Sequence, residues 1–186
     1  MRVARTTESD EPAAAHETTE RVKPLSSLRF KLAVLQHDRA VYRFARTLLR
    51  DEREAEDVVQ ETFLRYWQRG AGVRKPREWL FKVARNACLD RFRKARRLVR
   101  EDRDAPLEPS DDRDPEWHYA QRELEAGVHR LLDTLPEPQR SLVVLFDLHG
   151  MDGAACGAIL GLSPTQVKVY LHRARRRLRE RLEHGT

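Results

Sequence analysis

Cysteine is scarce in this chain. Cys88 and Cys156 are the only two in 186 residues, and they stand far apart. That excludes a disulfide scaffold or a zinc finger and suits a reducing cytoplasm. The seven histidines show no ligand spacing, so neither metal nor cofactor is expected. No apolar run approaches the roughly 20 residues needed to span a bilayer, so no membrane insertion is expected. Residues 1–24 lack the apolar centre of a signal peptide and read as a disordered polar tail. Strand alternation and internal repeats are both missing. Glycine and proline, 8 and 9 in number, stay almost entirely outside three long stretches where apolar residues recur at helical spacing. No carboxylate cluster, Walker loop or nucleophile–base pair marks an enzyme.

Charge, by contrast, is plentiful and sorted. Charged side chains make up 35% of the chain, with a formal net charge of +6, which suits a polyanionic partner. Acidic residues gather at Glu52–Glu61 and Glu101–Glu116; basic ones gather at Arg85–Arg100 and Lys168–Arg181. The segment Glu101–Glu116 carries three prolines and eight acids against two arginines, which is linker composition. The expected fold is therefore all-α, with two small helical domains at residues 25–99 and 117–184 joined by a flexible acidic linker at 100–116. A break at Arg69–Pro76 divides the first block. Leu135-Pro136, Gly150 and Gly161 divide the second. Cys88 and Cys156 lie among apolar residues and fit core positions better than a redox switch.

The segment Gly157-Ala158-Ile159-Leu160-Gly161-Leu162-Ser163-Pro164-Thr165-Gln166-Val167 has helix-turn-helix chemistry. Gly157 is small enough for a close helix crossing, and Gly161 can take the left-handed conformation that ends a helix. Ser163 can cap the next helix, with Pro164 in its first turn. Val167, Leu171, Ala174 and Leu178 form that helix's inward stripe. Its first turns would meet a major groove, where Gln can bond adenine, Arg guanine, and Val a thymine methyl.

In the first block, Ala55, Val58, Val59, Thr62, Phe63 and Tyr66 make an apolar stripe opposite Glu56, Asp57, Gln60, Glu61 and Arg65. The acidic side is either a solvated face or a dock for a basic partner surface. Further on, Trp79, Leu80, Val83, Ala87 and Phe92 can pack inward. Arg85, Asn86, Arg93, Lys94, Arg96 and Arg97 cannot all be buried, and they suit phosphate contacts, with Asn86 able to read a base. Trp79 fits either a core position or a platform for an unstacked base.

Four segments in this order resemble the extracytoplasmic-function sigma factors of bacterial RNA polymerase. They are Glu54-Ala55-Glu56-Asp57 through Trp67, Trp79-Leu80 through Arg93, Leu135-Pro136 through Arg140, and Val167-Lys168 through Arg175. The resemblance implies a cytoplasmic transcription initiation factor that performs no covalent chemistry. Asp57, Gln60, Glu61 and Arg65 would dock on the clamp helices of the core polymerase's largest subunit. Arg85, Asn86, Arg91, Arg93, Lys94, Arg96 and the loop Arg69–Pro76 would grip the melted strand of the promoter's minus-ten element. Ser163, Thr165, Gln166, Lys168, Val169, Tyr170, His172, Arg173 and Arg176 would read the minus-thirty-five element as duplex. The second block would also bind the polymerase flap, the linker would run through the RNA exit path, and an anti-sigma protein would hold the factor inactive. The chain departs from the family pattern at Ala154-Ala155-Cys156-Gly157 and at Gln166-Val167-Lys168-Val169-Tyr170. A helix-turn-helix repressor or activator acting without polymerase is the competing reading; it requires a dimer, and no dimerisation helix is evident.

Overall fold

The computed structural model describes residues 27–69, 72–101 and 116–183, with side chains placed for 27–69, 72–94 and 123–183. The tail, most of the acidic linker and the side chain of Arg96 lie outside the described residues. Among the described residues, seven α-helices and one π-helical turn follow each other in chain order: α1 (Ser27–Leu49), α2 (Glu52–Arg69), α3 (Pro76–Glu101), α4 (Glu116–Asp133), α5 (Gln139–Val143), the π turn Val144–Leu148, α6 (Gly153–Leu160) and α7 (Pro164–Glu183). No strand occurs among the described residues.

Local chemistry explains the helix boundaries. At the α1–α2 turn Arg50 takes φ 65°, the left-handed conformation that usually requires glycine. The Asp51 carboxylate then accepts from the Glu54 amide at 2.8 Å, capping α2. The expected break holds, because α2 ends at Arg69 and α3 starts on Pro76, at a position where a missing amide costs nothing.

The α2 stripe is buried as expected: Ala55, Val58, Val59, Thr62, Phe63 and Tyr66. It packs with Val41, Phe44, Ala45 and Leu48 of α1 and with Leu80, Phe81, Ala84, Ala87 and Cys88 of α3. In the second block Leu142–Leu145, Met151, Cys156, Ile159, Val167, Leu171 and Ala174 are buried. Full burial of each large apolar side chain contributes roughly 1.5–3 kcal/mol against conformational entropy.

The two helical blocks also pack on each other. The buried side chains of both blocks join into one apolar cluster, and the half-buried His149, after the π turn, reaches the first block. Its ring stands edge-on to Phe44 at 5.7 Å and to Phe81 at 5.2 Å.

Candidate nucleic-acid interface

The second block builds a reading helix from its turns upward. Asp152 caps α6 by accepting from the Ala155 amide at 2.7 Å. Gly161 ends α6 with φ 69°, as its sequence position predicts. The next residue, Leu162, donates its amide to the Gly157 carbonyl at 3.0 Å. At Gly157 a Cβ would lie only 2.8 Å from the Leu162 carbonyl oxygen, so the close crossing of α6 and the turn needs glycine.

Ser163 and Gln166 form a reciprocal capping box. The Ser163 hydroxyl accepts from the Gln166 amide at 3.2 Å, and the Gln166 side-chain oxygen accepts from the Ser163 amide at 2.8 Å. Gln166, one of the expected base readers, is therefore folded back on its own helix terminus. Val167, Leu171 and Ala174 face inward. At 3.6 residues per turn, Thr165, Val169, His172 and Arg176 fall on the opposite side, and all four are exposed. Lys168 and Arg173 flank this face, whereas Tyr170 is half-buried. A groove of about 420 Å³ runs beside it, lined by Lys168, His172, Arg175, Arg176 and Arg179 with Leu171 as its floor. Arg175 is held to its own block by Asp147 and by the Phe146 ring, 5.4 Å from its guanidinium carbon.

The first block carries two surfaces of opposite sign. On α2, Asp57, Gln60 and Arg65 are exposed, while Glu61 is half-buried between Arg65 at 2.6 Å and Arg91 at 3.3 Å. Trp79 lies half-buried, 5.7 Å from the Tyr66 ring, and forms part of an open cleft of about 320 Å³. Arg69, Arg74, Lys75 and Lys82 line that cleft together with Glu78, which pairs with Lys75 at 3.0 Å, giving an aromatic wall with a mostly cationic rim. Such a cleft suits an unstacked base with its phosphates. Lys82 was not among the expected contacts; its place seven residues after Lys75, two helical turns, is the signal that would have found it.

The remaining α3 residues divide. Asn86, Arg93 and Lys94 are exposed, and Arg93 pairs with Asp90 at 2.8 Å. Arg85 is turned instead toward the second block, donating to the Ser141 hydroxyl at 3.0 Å and to Glu137 at 3.2 Å. Both cysteines are buried, and burial pushes the Cys88 thiol up to about 12 and the Cys156 thiol up to about 11, which suits inert core positions. No group of three His, Cys, Asp or Glu side chains among the described residues is placed to hold a metal ion.

Comparison with known proteins fits this geometry. Sigma-70 region 2 matches residues 33–98, and sigma-70 region 4 matches residues 126–178. ECF RNA polymerase sigma factor SigE of Mycolicibacterium smegmatis is 35% identical over 80% of this chain, which spans 60% of that relative's length. For SigM of Mycobacterium tuberculosis the figures are 37%, 77% and 71%, and for SigL of the same organism 36%, 80% and 85%. Among solved structures, the sigma factor RpoE bound to the anti-sigma factor NepR from Bartonella quintana superposes with a TM-score of 0.67 at 27% identity, covering 85% of this chain and 99% of that one. CnrH in complex with the cytosolic domain of CnrY gives 0.67 at 27%, covering 87% and 92%. With two sigma-70 regions in order, and relatives matched over most of their own length, the chain belongs to the extracytoplasmic-function (ECF) family of RNA polymerase sigma factors.

Proposed function

We infer that this chain is a cytoplasmic initiation factor that lends core RNA polymerase its promoter specificity and carries out no covalent chemistry of its own. The observation that carries this reading is the pairing of two unlike surfaces on one three-helix unit. An acidic α2 face accompanies a mostly cationic, aromatic-walled cleft, and a separately capped reading helix follows in the second block. A polymerase-independent repressor has no use for the acidic face.

In this reading Asp57, Gln60, Glu61 and Arg65 dock on the polymerase clamp. The Trp79 cleft with Asn86, Arg93 and Lys94 holds the displaced minus-ten strand, and Arg85 and Arg91 join once released from their ion pairs. Flipping a base out of the stack costs a few kcal/mol, which a cleft and a charged rim can offset. The minus-thirty-five duplex meets Thr165, Val169, His172, Arg173 and Arg176, with Lys168 on a phosphate. Ser163 and Gln166 serve the helix terminus rather than a base. Two half-sites on one chain also gain from effective concentration once polymerase fixes their separation. RpoE is found in complex with the anti-sigma factor NepR and CnrH with the cytosolic domain of CnrY, and an anti-sigma partner for this protein is proposed by likeness.

The test is transcription in vitro with bacterial core polymerase, this protein and fragments of its own genome, with RNA start points mapped. Discrete new starts that share two upstream motifs at fixed separation support the reading. Failure to form any complex with core polymerase refutes it and promotes the free DNA-binding alternative.

A further inference from the structure

The outer face of α1 belongs neither to the core nor to the surfaces described above. Leu28, Leu32 and Leu35 stand at i, i+4 and i+7, which puts them on one stripe of the helix. At 3.6 residues per turn that stripe points away from the buried Ala33, Val41, Phe44 and Ala45. The three leucines are 68%, 47% and 83% exposed. Arg29, Lys31 and Arg39 are exposed around them, against one acid, Asp38. The first turn of α1 holds no acid and carries Arg29 instead, so the positive end of the helix adds to the charge. Leucines ringed by cations call for an occupant that is acidic and offers some apolar surface.

A second copy of the chain does not meet that description, because pairing two such faces sets cation against cation. A segment of the chain itself does. Residues 8–20, ahead of α1, hold five acids, Glu8, Asp10, Glu11, Glu17 and Glu20, with no lysine or arginine and with Ala13-Ala14-Ala15 at the centre. Residues 21–26, which include Pro24, separate this segment from the first residue of α1 and leave room for a reversal. From Leu28 to Arg39 the helix covers about 17 Å, and residues 8–20 cover about 18 Å even as a helix and more if extended. Where the segment ends, its length and its charge all match the face.

We propose that residues 8–20 fold back on the outer face of α1, with the alanines against Leu32 and Leu35 and the acids on Arg29, Lys31 and Arg39. A reversed segment runs antiparallel to α1, so Glu17 and Glu20 meet its positive end while Glu8, Asp10 and Glu11 reach Arg39. The short tether gives a local concentration on the order of millimolar, so a modest contact keeps the face covered. Covering the stripe withdraws three leucines from non-specific association. The polar tail expected to be disordered thereby becomes the cover of one helix. Tail docking is independent of what the chain does at a promoter.

The experiment uses the full chain carrying spin labels at Ala14→Cys in the segment and Gln36→Cys on α1, an exposed position beside the stripe. Cys88 and Cys156 are buried and do not compete for label. Pulsed dipolar spectroscopy at low salt is expected to give one narrow distance, unchanged when labelled protein is diluted into an excess of unlabelled protein. Without docking, the 13 residues from Ala14 to Ser27 give a broad spread of end-to-end distances around roughly 20 Å. The variant Glu8→Gln, Asp10→Asn, Glu11→Gln, Glu17→Gln, Glu20→Gln is expected to show that breadth and to raise the fluorescence of added Nile red severalfold. Leu32→Ser, Leu35→Ser should broaden the distance too; both positions are exposed, and unchanged helicity shows that the fold is intact. A broad distribution in the wild-type background overturns the docking, as does a narrow one that neither variant broadens. A narrow distance that broadens on dilution with unlabelled protein assigns the face to a second copy and overturns it as well.

Discussion

Replacing Gly157 by alanine sets two effects of known size against each other. Gly157 lies inside α6, where alanine is favoured over glycine by up to about 1 kcal/mol. The added Cβ, however, would sit 2.8 Å from the Leu162 carbonyl oxygen and 3.7 Å from Val167 Cγ2. The first neighbour is backbone and cannot rotate away. The turn that carries it is tied to α6 by the bond from the Leu162 amide to the Gly157 carbonyl, so relief of the clash stretches that bond. Overpacking of this kind costs typically 1–3 kcal/mol. The propensity gain offsets only part of it, leaving a net loss of about 1–2 kcal/mol and a fall in Tm of about 2–8 °C. Gly153→Ala is the control, since its Cβ meets only Val167 Cγ1 at an ordinary 3.6 Å; it should be neutral or slightly stabilising. Thermal unfolding of the three proteins by circular dichroism decides the matter. Gly157→Ala matching or exceeding Gly153→Ala in Tm would refute the close-crossing argument.

Ser163→Ala should destabilise the second block by about 1 kcal/mol, and Gln166→Ala by a similar or smaller amount, with the double variant costing less than the sum. A change of promoter choice in Gln166→Ala without loss of stability would instead make it a base reader. Asp57→Lys should weaken the complex with core polymerase at least tenfold with helicity intact; unchanged affinity in a binding titration counts against the docking face. His129 and His149 both have pKa values lowered to about 4, by burial first, then by Arg50, Arg46 and Arg140 for His129 and by Arg43 and Arg77 for His149. Because the folded values lie below the ordinary 6.5, the unfolded chain binds more protons between them. Stability should thus be full above about pH 6.5 and fall toward pH 4, by roughly 1 kcal/mol per pH unit for each histidine. Urea midpoints that do not move between pH 7 and pH 5 would contradict this.

What the sequence disclosed follows interaction range. The α2 stripe, the break at Pro76, the left-handed Gly161 and the Ser163 cap all depend on residues within a few positions of one another, and each stands where periodicity and turn chemistry put it. Gln166 was expected only as a base reader, and its capping role was missed because the third residue after a capping serine is also where a reading helix begins. Arg85 and Arg140 were legible as cations but not as neighbours of the other block. Their partners lie 56 and 92 residues away, beyond any local pattern. Trp79 resolved into neither alternative alone: it packs on Tyr66 with one part of its ring and lines the cleft with another.

Arg50 shows how much contact between the two blocks shapes single residues. Holding a non-glycine side chain at φ 65° costs on the order of 1–2 kcal/mol, and glycine would relieve it. Glycine, however, has no arm to reach Asp133. The turn between α1 and α2 accepts local discomfort in exchange for reach, so the most comfortable residue for that turn would also be the one that loosens its grip on the second block. A stabilising search scored on backbone preference alone would choose glycine there, and would dismantle the contact while improving the helix end.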